Sequence, residues 1–285
     1  WRARGSGTGH LSIRSTNRRV MAHIENLRVY PLKGFDAVDV ESIEITDAGT
    51  VEGDREYALV DPDGAGDGDA ERVLNGKQIS NVHEVTVGFD CGRAVIELST
   101  DAGERSRFDL AAERGAASEW FGEFVGRPVE LRRRGPPSFV DRPGLGPSVV
   151  STATLEAVAS WFDDVTLEGA RRRFRANVEV GGVPAFWEDR FLGDGSGFVA
   201  GGVRFEGVKP CGRCVVPSRD PDTGDPIDGF RGRFAERREA TLPEWVDPDA
   251  FEHFYSVMIL TNVPAASRGE ALRVGDDVSP DGRGG

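Results

Sequence analysis

Two cysteines separated by two residues, Cys211 and Cys214, are the side chains of this sequence best suited to chemistry. A glycine and an arginine stand between them, a proline precedes them, and the acidic, turn-rich segment Asp220–Asp225 follows. Such a pair can supply half of a structural zinc site, act as a thioredoxin-type dithiol, or pack as two unreactive apolar groups. Any chemistry in this chain is therefore expected to involve sulfur.

Each of these three interpretations can be weighed against the rest of the sequence. A structural zinc site needs four ligands, and the remaining candidates, Cys91 and the histidines, contain no second pair at a suitable spacing. A thioredoxin-type dithiol begins a helix in a βαβ unit, whereas this motif follows Pro210 and precedes the strand-like pair Val215-Val216. The motif alone favours two buried structural cysteines, with zinc and redox chemistry left open.

The composition limits the partners and the compartment. A formal net charge of −13 argues against a nucleic-acid partner, because binding phosphates requires a basic surface. No apolar run reaches the roughly 18 residues of a membrane span, and 3 cysteines cannot form a disulfide framework, so we expect a cytoplasmic protein with no membrane partner. Lysine occurs only at Lys33, Lys77 and Lys209, and this scarcity beside 48 acidic residues is typical of a halophilic protein.

The first half of the chain is predicted to consist of short strands separated by turns, which favours a β-sandwich or barrel. A helix is predicted at Glu113–Val125, because its apolar residues share one face and Gly126 follows its last turn. The predicted strands lie at 38–45, 54–60, 84–89 and 94–98.

The second half is again predicted to be mostly β, with a helix that begins near Thr154. Apolar and polar residues alternate through Arg173–Val180, which predicts a strand with Arg175 and Asn177 on one face. That face is either an ordinary solvated surface or the wall of an anion site. The segment Pro226–Pro243 is predicted to be irregular, and the other strands are expected at 198–205, 254–260 and 272–278.

Several short motifs, taken in order along the chain, resemble those of one family. They are Tyr30–Gly34 for "YP-x-KS", Gly53–Arg55 for "DR", Phe174–Asn177 for "FRPN", Lys209–Cys214 for "KPCxRC", Asp220–Gly224 for "DPxTG" and Arg273–Val278 for "VGDxV". Each motif is weak alone, but their order and spacing together are specific. The chain resembles MOSC-domain proteins with a MOSC N-terminal β-barrel domain, the group that includes the mitochondrial amidoxime-reducing component and its bacterial relatives.

The resemblance implies a mainly β, α+β protein built from two domains. A MOSC N-terminal β-barrel-like domain is expected at 22–135 and a MOSC β-barrel domain at 136–280, joined through the Arg-, Pro- and Gly-rich stretch 132–147. Residues 1–21 are rich in arginine and contain no acidic residue, so we expect an extension without ordered structure, with Met21 as a candidate start.

The resemblance also implies a molybdenum cofactor, a molybdopterin whose dithiolene holds the metal. Cys214 would ligate molybdenum and so be the catalytic residue, in keeping with the preference of soft metals for thiolates. The role of Cys211 stays open between packing, support of the metal site and redox partnership. Asn177 would hydrogen-bond the pterin edge, and the basic residues around its phosphate would be Lys33, Arg55, Arg175 and Arg213.

Two glycines depart from the family pattern. Gly34 and Gly212 stand where relatives often carry serine, so two hydroxyl donors are missing, although glycine backbone amides can still cradle a phosphate. Ser151 and Thr152 lie where the family contributes further hydroxyls, and they are included among the expected cofactor-binding residues.

The activity that the resemblance implies is a two-electron reduction of N-hydroxylated or related N-oxygenated compounds. Some relatives carry a fused ferredoxin domain, but this chain has no cysteines left for an iron–sulfur cluster, so a separate ferredoxin-like or reductase donor is expected. The alternative is a sulfur-carrier or cofactor-handling protein that uses a persulfide or thiolate at Cys214. MOSC domains also occur in molybdenum-cofactor sulfurases beside a pyridoxal-phosphate domain, and no such domain is visible here.

Overall fold

The computed structural model describes residues 21–65, 71–193 and 196–282, which form an α+β molecule rich in strands. Except for Met21, the extension expected at 1–21 lies outside these residues. The helices of the described part are α1 (Arg114–Val125), α2 (Thr152–Ala159), α3 (Leu167–Phe174) and α4 (Phe230–Ala240).

The strands of the described part belong to four sheets. In chain order they are β1 (His23–Val29), β2 (Val38–Asp39), β3 (Ser42–Glu44), β4 (Tyr57–Ala65), β5 (Glu71–Leu74), β6 (Val85–Asp90), β7 (Val95–Thr100), β8 (Arg105–Asp109), β9 (Glu130–Arg133), β10 (Ser148–Ser151), β11 (Val178–Gly181), β12 (Gly197–Ala200), β13 (Val203–Gly212), β14 (Ser256–Asn262), β15 (Ala271–Arg273) and β16 (Val278–Pro280).

The largest sheet holds eight strands in the order β16-β12-β13-β14-β10-β11-β1-β2. Its neighbouring strands are antiparallel except for β10 and β11, which run parallel. The sheet curls so that β1 approaches the segment before β16: His23 bridges Asp277, and the N–H of Ile24 donates to the carbonyl of Asp276 at 2.8 Å. The result is barrel-like without a complete ladder, and β1 from the start of the chain is built into it.

Three smaller sheets complete the fold, in the orders β5-β4-β9, β6-β7-β8 and β15-β3. The first two share a core with α1, which buries Ala117 and Phe121 against strand residues such as Leu59 and Leu98. The predicted helix and its C-terminal glycine are confirmed, since Gly126 adopts a left-handed φ of 75° after the last turn. The N-terminal half thus has its own hydrophobic core, apart from that of the large sheet.

The predicted strand at Arg173–Val180 is wrong in its first half. Arg173 and Phe174 end helix α3, and Arg175 is its left-handed cap, so the strand begins only at Val178. Thr166 caps the start of the helix, since its hydroxyl accepts the N–H of Gly169 at 3.0 Å, and the last turn is basic, as the helix dipole favours. The alternation of polar and apolar residues led to a wrong strand prediction, because Arg173 and Phe174 are both buried at the end of a helix.

The predicted irregular segment Pro226–Pro243 contains helix α4. This helix is polar on most of its surface, so its periodicity is weak in the sequence. Its stability comes from packing, because Phe230 stacks on Phe162 at 4.3 Å and Phe234 meets Tyr255 edge-on at 5.2 Å. The formation of α4 therefore depends on tertiary contacts and not on a local sequence pattern.

The other predicted elements of the second half shift at their ends or are divided by a turn. The strand predicted at 198–205 is divided between β12 and β13, which are joined through Gly201 and Gly202. Helix α2 begins at Thr152 and is capped by Ser151, two to three residues before the predicted Thr154. The strand predicted at 254–260 is confirmed as β14. The strand predicted at 272–278 is divided into β15 and β16, because Gly275 turns the chain with a φ of 88°. Among the described residues, no helix combines the length and the apolar character that crossing a bilayer requires.

Two adjacent carboxylates lie in the interior beside helix α4. Asp189 forms an ion pair with Arg238, and both side chains are almost fully buried. No hydrogen bond of good geometry reaches either carboxylate oxygen of Glu188 from the described residues, although the hydroxyls of Thr154 and Ser151 are near enough to oppose part of the rise in its pKa. Burial, and then the neighbouring Asp189, raises the pKa of Glu188 from 4.5 to about 7. Glu188 is therefore protonated in the folded protein under mildly acidic conditions.

The burial of Glu188 predicts that the free energy of unfolding decreases as the pH rises. The folded protein keeps the proton of Glu188 up to about pH 7, whereas the unfolded chain releases it near 4.5, so stability falls between these values and levels off above them. Glu188→Gln should match the wild type at about pH 4 and exceed it by about 2 kcal/mol at about pH 8. Urea unfolding at both values measures this; equal free energies of unfolding at the higher pH would contradict it.

Candidate functional site

A cavity of about 450 Å³ opens at the seam between the two halves of the chain. Its wall brings together residues that are up to 227 positions apart in sequence, from Lys33 to Leu260. The predicted site residues that line it are Lys33, Gly34, Arg55, Arg175, Asn177, Gly212, Arg213 and Cys214. The convergence that a binding pocket requires is therefore present, and the individual roles of these residues stay predictions.

The two remaining predicted residues, Ser151 and Thr152, do not line this cavity. Ser151 is fully buried and caps α2, accepting the N–H of Thr154 at 3.1 Å. Thr152 donates its hydroxyl to Glu179 at 2.8 Å. Both hydroxyls are thus engaged in holding α2 against the sheet.

The backbone that carries the cavity residues is mostly irregular and lies at the ends of strands and helices. Lys33 and Gly34 follow β1, Arg55 precedes β4, and Cys214 comes two residues after β13. Arg55 and Arg175 both adopt left-handed backbone, with φ of 53° and 61°. Non-glycine residues rarely adopt this region, and they cluster at functional sites when they do.

Arg55 and Arg175 both lie against the ring of Tyr30, with guanidinium carbons 4.9 Å and 4.4 Å from its centroid. Burial would lower the pKa of Arg55, but the ion pair with Asp54 outweighs it and raises that pKa. Arg175 donates to the carbonyl of Phe35 and has no carboxylate partner in the described part of the chain. Burial, with repulsion from Arg55, lowers the pKa of Arg175, so an anion beside it would be stabilising.

Lys33 is held in the cavity wall by the segment that joins the two halves. Its ammonium donates to the carbonyl of Phe139 at 2.6 Å and forms an ion pair with Asp141. Burial alone would raise the pKa of Asp141, but Lys33 holds it below its usual value. The side chain of Lys33 is therefore fixed at the cavity wall.

The arginine of the cysteine motif contacts Cys211 instead of Cys214. Nη1 of Arg213 lies 3.1 Å from Sγ of Cys211, and Nη1 of Arg142 lies 4.0 Å from the same sulfur. Cys211 is buried, whereas Cys214 is exposed and lines the cavity, and its thiol has no hydrogen-bond partner among the described residues. Of the two sulfurs, Cys214 is the one available to a ligand.

Asn177 lines the cavity but is already well bonded. Its side-chain oxygen accepts the hydroxyl of Ser148 at 3.0 Å, and its amide donates to the carbonyl of Arg28 at 3.2 Å. These bonds tie β1, β10 and β11 together, which leaves one amide hydrogen for the predicted bond to a pterin.

The structure explains why residue 34 is glycine. Its φ of 93° strains any other residue, and a Cβ there would stand 3.2 Å from Cα of Asn75. Gly212 differs, because a Cβ at that position would meet the ring of the exposed His253, which can move. The serine typical of relatives is thus excluded by backbone only at Gly34.

Sequence reasoning missed three parts of the cavity wall. The turn Asn75–Lys77 reaches in from the N-terminal half, and Arg142 and Arg173 come from the second half and its linker. The Asn-Gly dipeptide at 75 and 76 marks the turn in sequence, but its position over the cysteine motif depends on how the two halves pack.

The cavity is strongly cationic although the chain is acidic. Seven basic side chains face two acidic ones, Asp54 and Asp141, and both of these are in ion pairs. The basic residues are Lys33, Arg55, Lys77, Arg142, Arg173, Arg175 and Arg213. A concentration of positive charge behind apolar walls binds anions far more strongly than an open surface does.

Comparison with known families finds two domain models along the chain. The MOSC N-terminal beta barrel domain matches residues 21–119, and the MOSC domain matches residues 147–279. Together the two matches span most of the sequence. The chain is a MOSC-domain protein. A search of curated proteins finds no match.

The cavity of this MOSC-domain protein fits a molybdopterin, the cofactor with which MOSC domains are associated. No group of three or more His, Cys, Asp or Glu that could hold a metal occurs within 21–65, 71–193 and 196–282. Nε of Arg173 and Nε of Arg213, two arginines of the wall, are buried and have no hydrogen-bond partner among the described residues. Of the two cysteines in the wall, Cys214 supplies the exposed thiol.

Proposed function

We propose that this MOSC-domain protein is a molybdenum-cofactor-dependent oxidoreductase that reduces N-hydroxylated compounds. The observation that carries the proposal is the convergence of the cationic side chains with the exposed thiol of Cys214 in one cavity. A phosphorylated pterin with a soft metal needs both features, and an acidic chain gathers seven basic side chains only where an anion compensates them.

Each part of the wall would have a distinct task. Arg55, Arg175 and Lys33 would hold the phosphate, and Arg213 would add a charged donor beside the metal. Cys214 would ligate molybdenum through its thiolate. The apolar side chains of Met258 and Leu260 line the same cavity and would exclude water from the reacting atoms.

When bound, the cofactor supplies two-electron redox chemistry, which the protein directs and protects. The reaction balances as a hydroxylamine plus two electrons and two protons giving an amine and water, with cleavage of the N–O bond. A separate electron-donor protein would provide the electrons. The protein's own contribution is to bind, orient and keep competing reactants out.

The proposal is tested by metal analysis and turnover of the full chain. Purified protein should contain about one molybdenum per chain, and it should reduce benzamidoxime with a reduced viologen dye as the artificial donor. Metal content and product formation are measured on the same preparation. Protein that binds added molybdopterin but reduces neither amidoximes nor hydroxylamines would contradict the enzyme assignment.

The alternative function is a sulfur-carrier or cofactor-handling protein. It is favoured by the exposure of Cys214 and of the neighbouring Val215, since another protein could reach that thiol. Metal without turnover, or a persulfide on Cys214 detected by mass spectrometry, would support the carrier instead of the enzyme.

A further inference from the structure

The lysine of the Asn75–Lys77 turn differs from every other cation of the cavity. The side chains of the remaining six basic residues each contact protein atoms, whereas that of Lys77 has no hydrogen-bond or ion-pair partner among the described residues. Lys77 is also exposed, while Arg55 and Arg175 lie deep in the wall. Its ammonium is thus an uncommitted charge at the rim.

The backbone beneath Lys77 is held firmly in place. Nη1 of Arg219 donates to the carbonyl of Gly76 at 2.9 Å, and the side-chain oxygen of Asn75 accepts the N–H of Lys77 at 3.0 Å. Gly34 packs closely under the turn, with room for no side chain of its own. A fixed backbone with a free, long side chain can reach toward a ligand without rearranging the fold.

The turn stands over the cysteine motif. A Cβ on Gly76 would lie 3.6 Å from the side chain of Val216, which is two residues after Cys214. Lys77 therefore occupies the rim on the side of the thiol, where a substrate must enter if its N–O group is to meet the metal. The two acidic residues of the wall are already paired, so no wall carboxylate neutralises Lys77.

We propose that Lys77 binds a carboxylate on the substrate, so that the protein prefers N-hydroxylated compounds that carry a negative charge. This inference depends on the proposed function. A chain with a net charge of −13 repels such molecules at long range, and a local cation at the rim reverses that repulsion where the substrate docks. The phosphate of the cofactor, in contrast, has the buried arginines as partners.

The test compares benzamidoxime with 4-carboxybenzamidoxime, with a reduced viologen dye as the donor. The measured quantity is the ratio of kcat/KM for the carboxylated over the neutral compound, with molybdenum content determined for each variant. Lys77→Gln should lower this ratio about fivefold, and Lys77→Arg should restore most of it. Lys209→Gln is the matched control, since Lys209 is an exposed lysine that does not line the cavity, and it should leave the ratio unchanged.

A second readout does not need turnover. Calorimetry with benzoate should show about fivefold weaker binding to Lys77→Gln than to the wild type or to Lys209→Gln. An unchanged ratio and unchanged benzoate affinity in Lys77→Gln would overturn the inference while leaving molybdenum binding and amidoxime reduction intact. Loss of molybdenum from Lys77→Gln would also overturn it, by assigning Lys77 to the cofactor. If the wild type reduces no amidoxime, the proposed function fails, and the benzoate result alone decides whether Lys77 binds carboxylates.

Discussion

Cys214→Ala is expected to yield a folded protein without molybdenum and without amidoxime reduction, whereas Cys211→Ala should retain the metal. The thiol of Cys214 is exposed to the cavity and has no protein partner among the described residues, and under the proposed function its removal would delete the protein ligand of the metal. Molybdenum content should fall at least tenfold. Elemental analysis of both variants, after equal purification, measures the difference.

The Cys211→Ala variant is a stringent control because it removes the other thiol of the same cavity wall. Cys211 is buried against Arg213 and Arg142, so its loss removes packing and sulfur contacts, at a cost of about 1–2 kcal/mol. A lower thermal midpoint with metal retained is the expected result. Loss of molybdenum from Cys211→Ala alone would reverse the two roles and contradict our assignment.

Arg175→Met is expected to weaken anion binding by more than 30-fold while changing the stability of the anion-free protein little. Arg175 is partly buried with no carboxylate partner in the described structure, and desolvation together with Arg55 lowers its pKa. Its charge is therefore unfavourable until an anion compensates it, and truncating one partner of such a buried pair costs about 2–5 kcal/mol. Methionine keeps most of the apolar stem and removes the charge.

Inorganic phosphate serves as the probe for this second prediction. The thermal midpoint of the wild type should rise with phosphate concentration, and that rise should be almost absent in Arg175→Met. Arg237→Met is the matched control, because Arg237 is exposed on α4 and does not line the cavity. An equal phosphate response in all three proteins would show that Arg175 does not face the anion.

The sequence allowed both domains to be predicted, and eight of the ten predicted site residues line the cavity. Motifs such as Gly53–Arg55 and Lys209–Cys214 are contiguous, so their residue types and spacing are visible in the sequence whatever the position of each segment in the fold. Helix α1 was predictable for a similar reason, since its apolar face and terminal glycine are contiguous in sequence. Halophily, the electron donor and the cytoplasmic location stay predictions.

The tertiary structure decided the features that depend on distant segments. Helix α4 is stabilised by the packing of Phe230 on Phe162 and of Phe234 on Tyr255. Arg175 lies against Tyr30 because α3 ends one residue before it. The turn that carries Lys77 meets the cysteine motif only when the two halves associate. The sequence determines residue types and short-range spacing. The assembly of seven cations and the exposed thiol of Cys214 around a single cavity requires long-range packing, which no local pattern encodes.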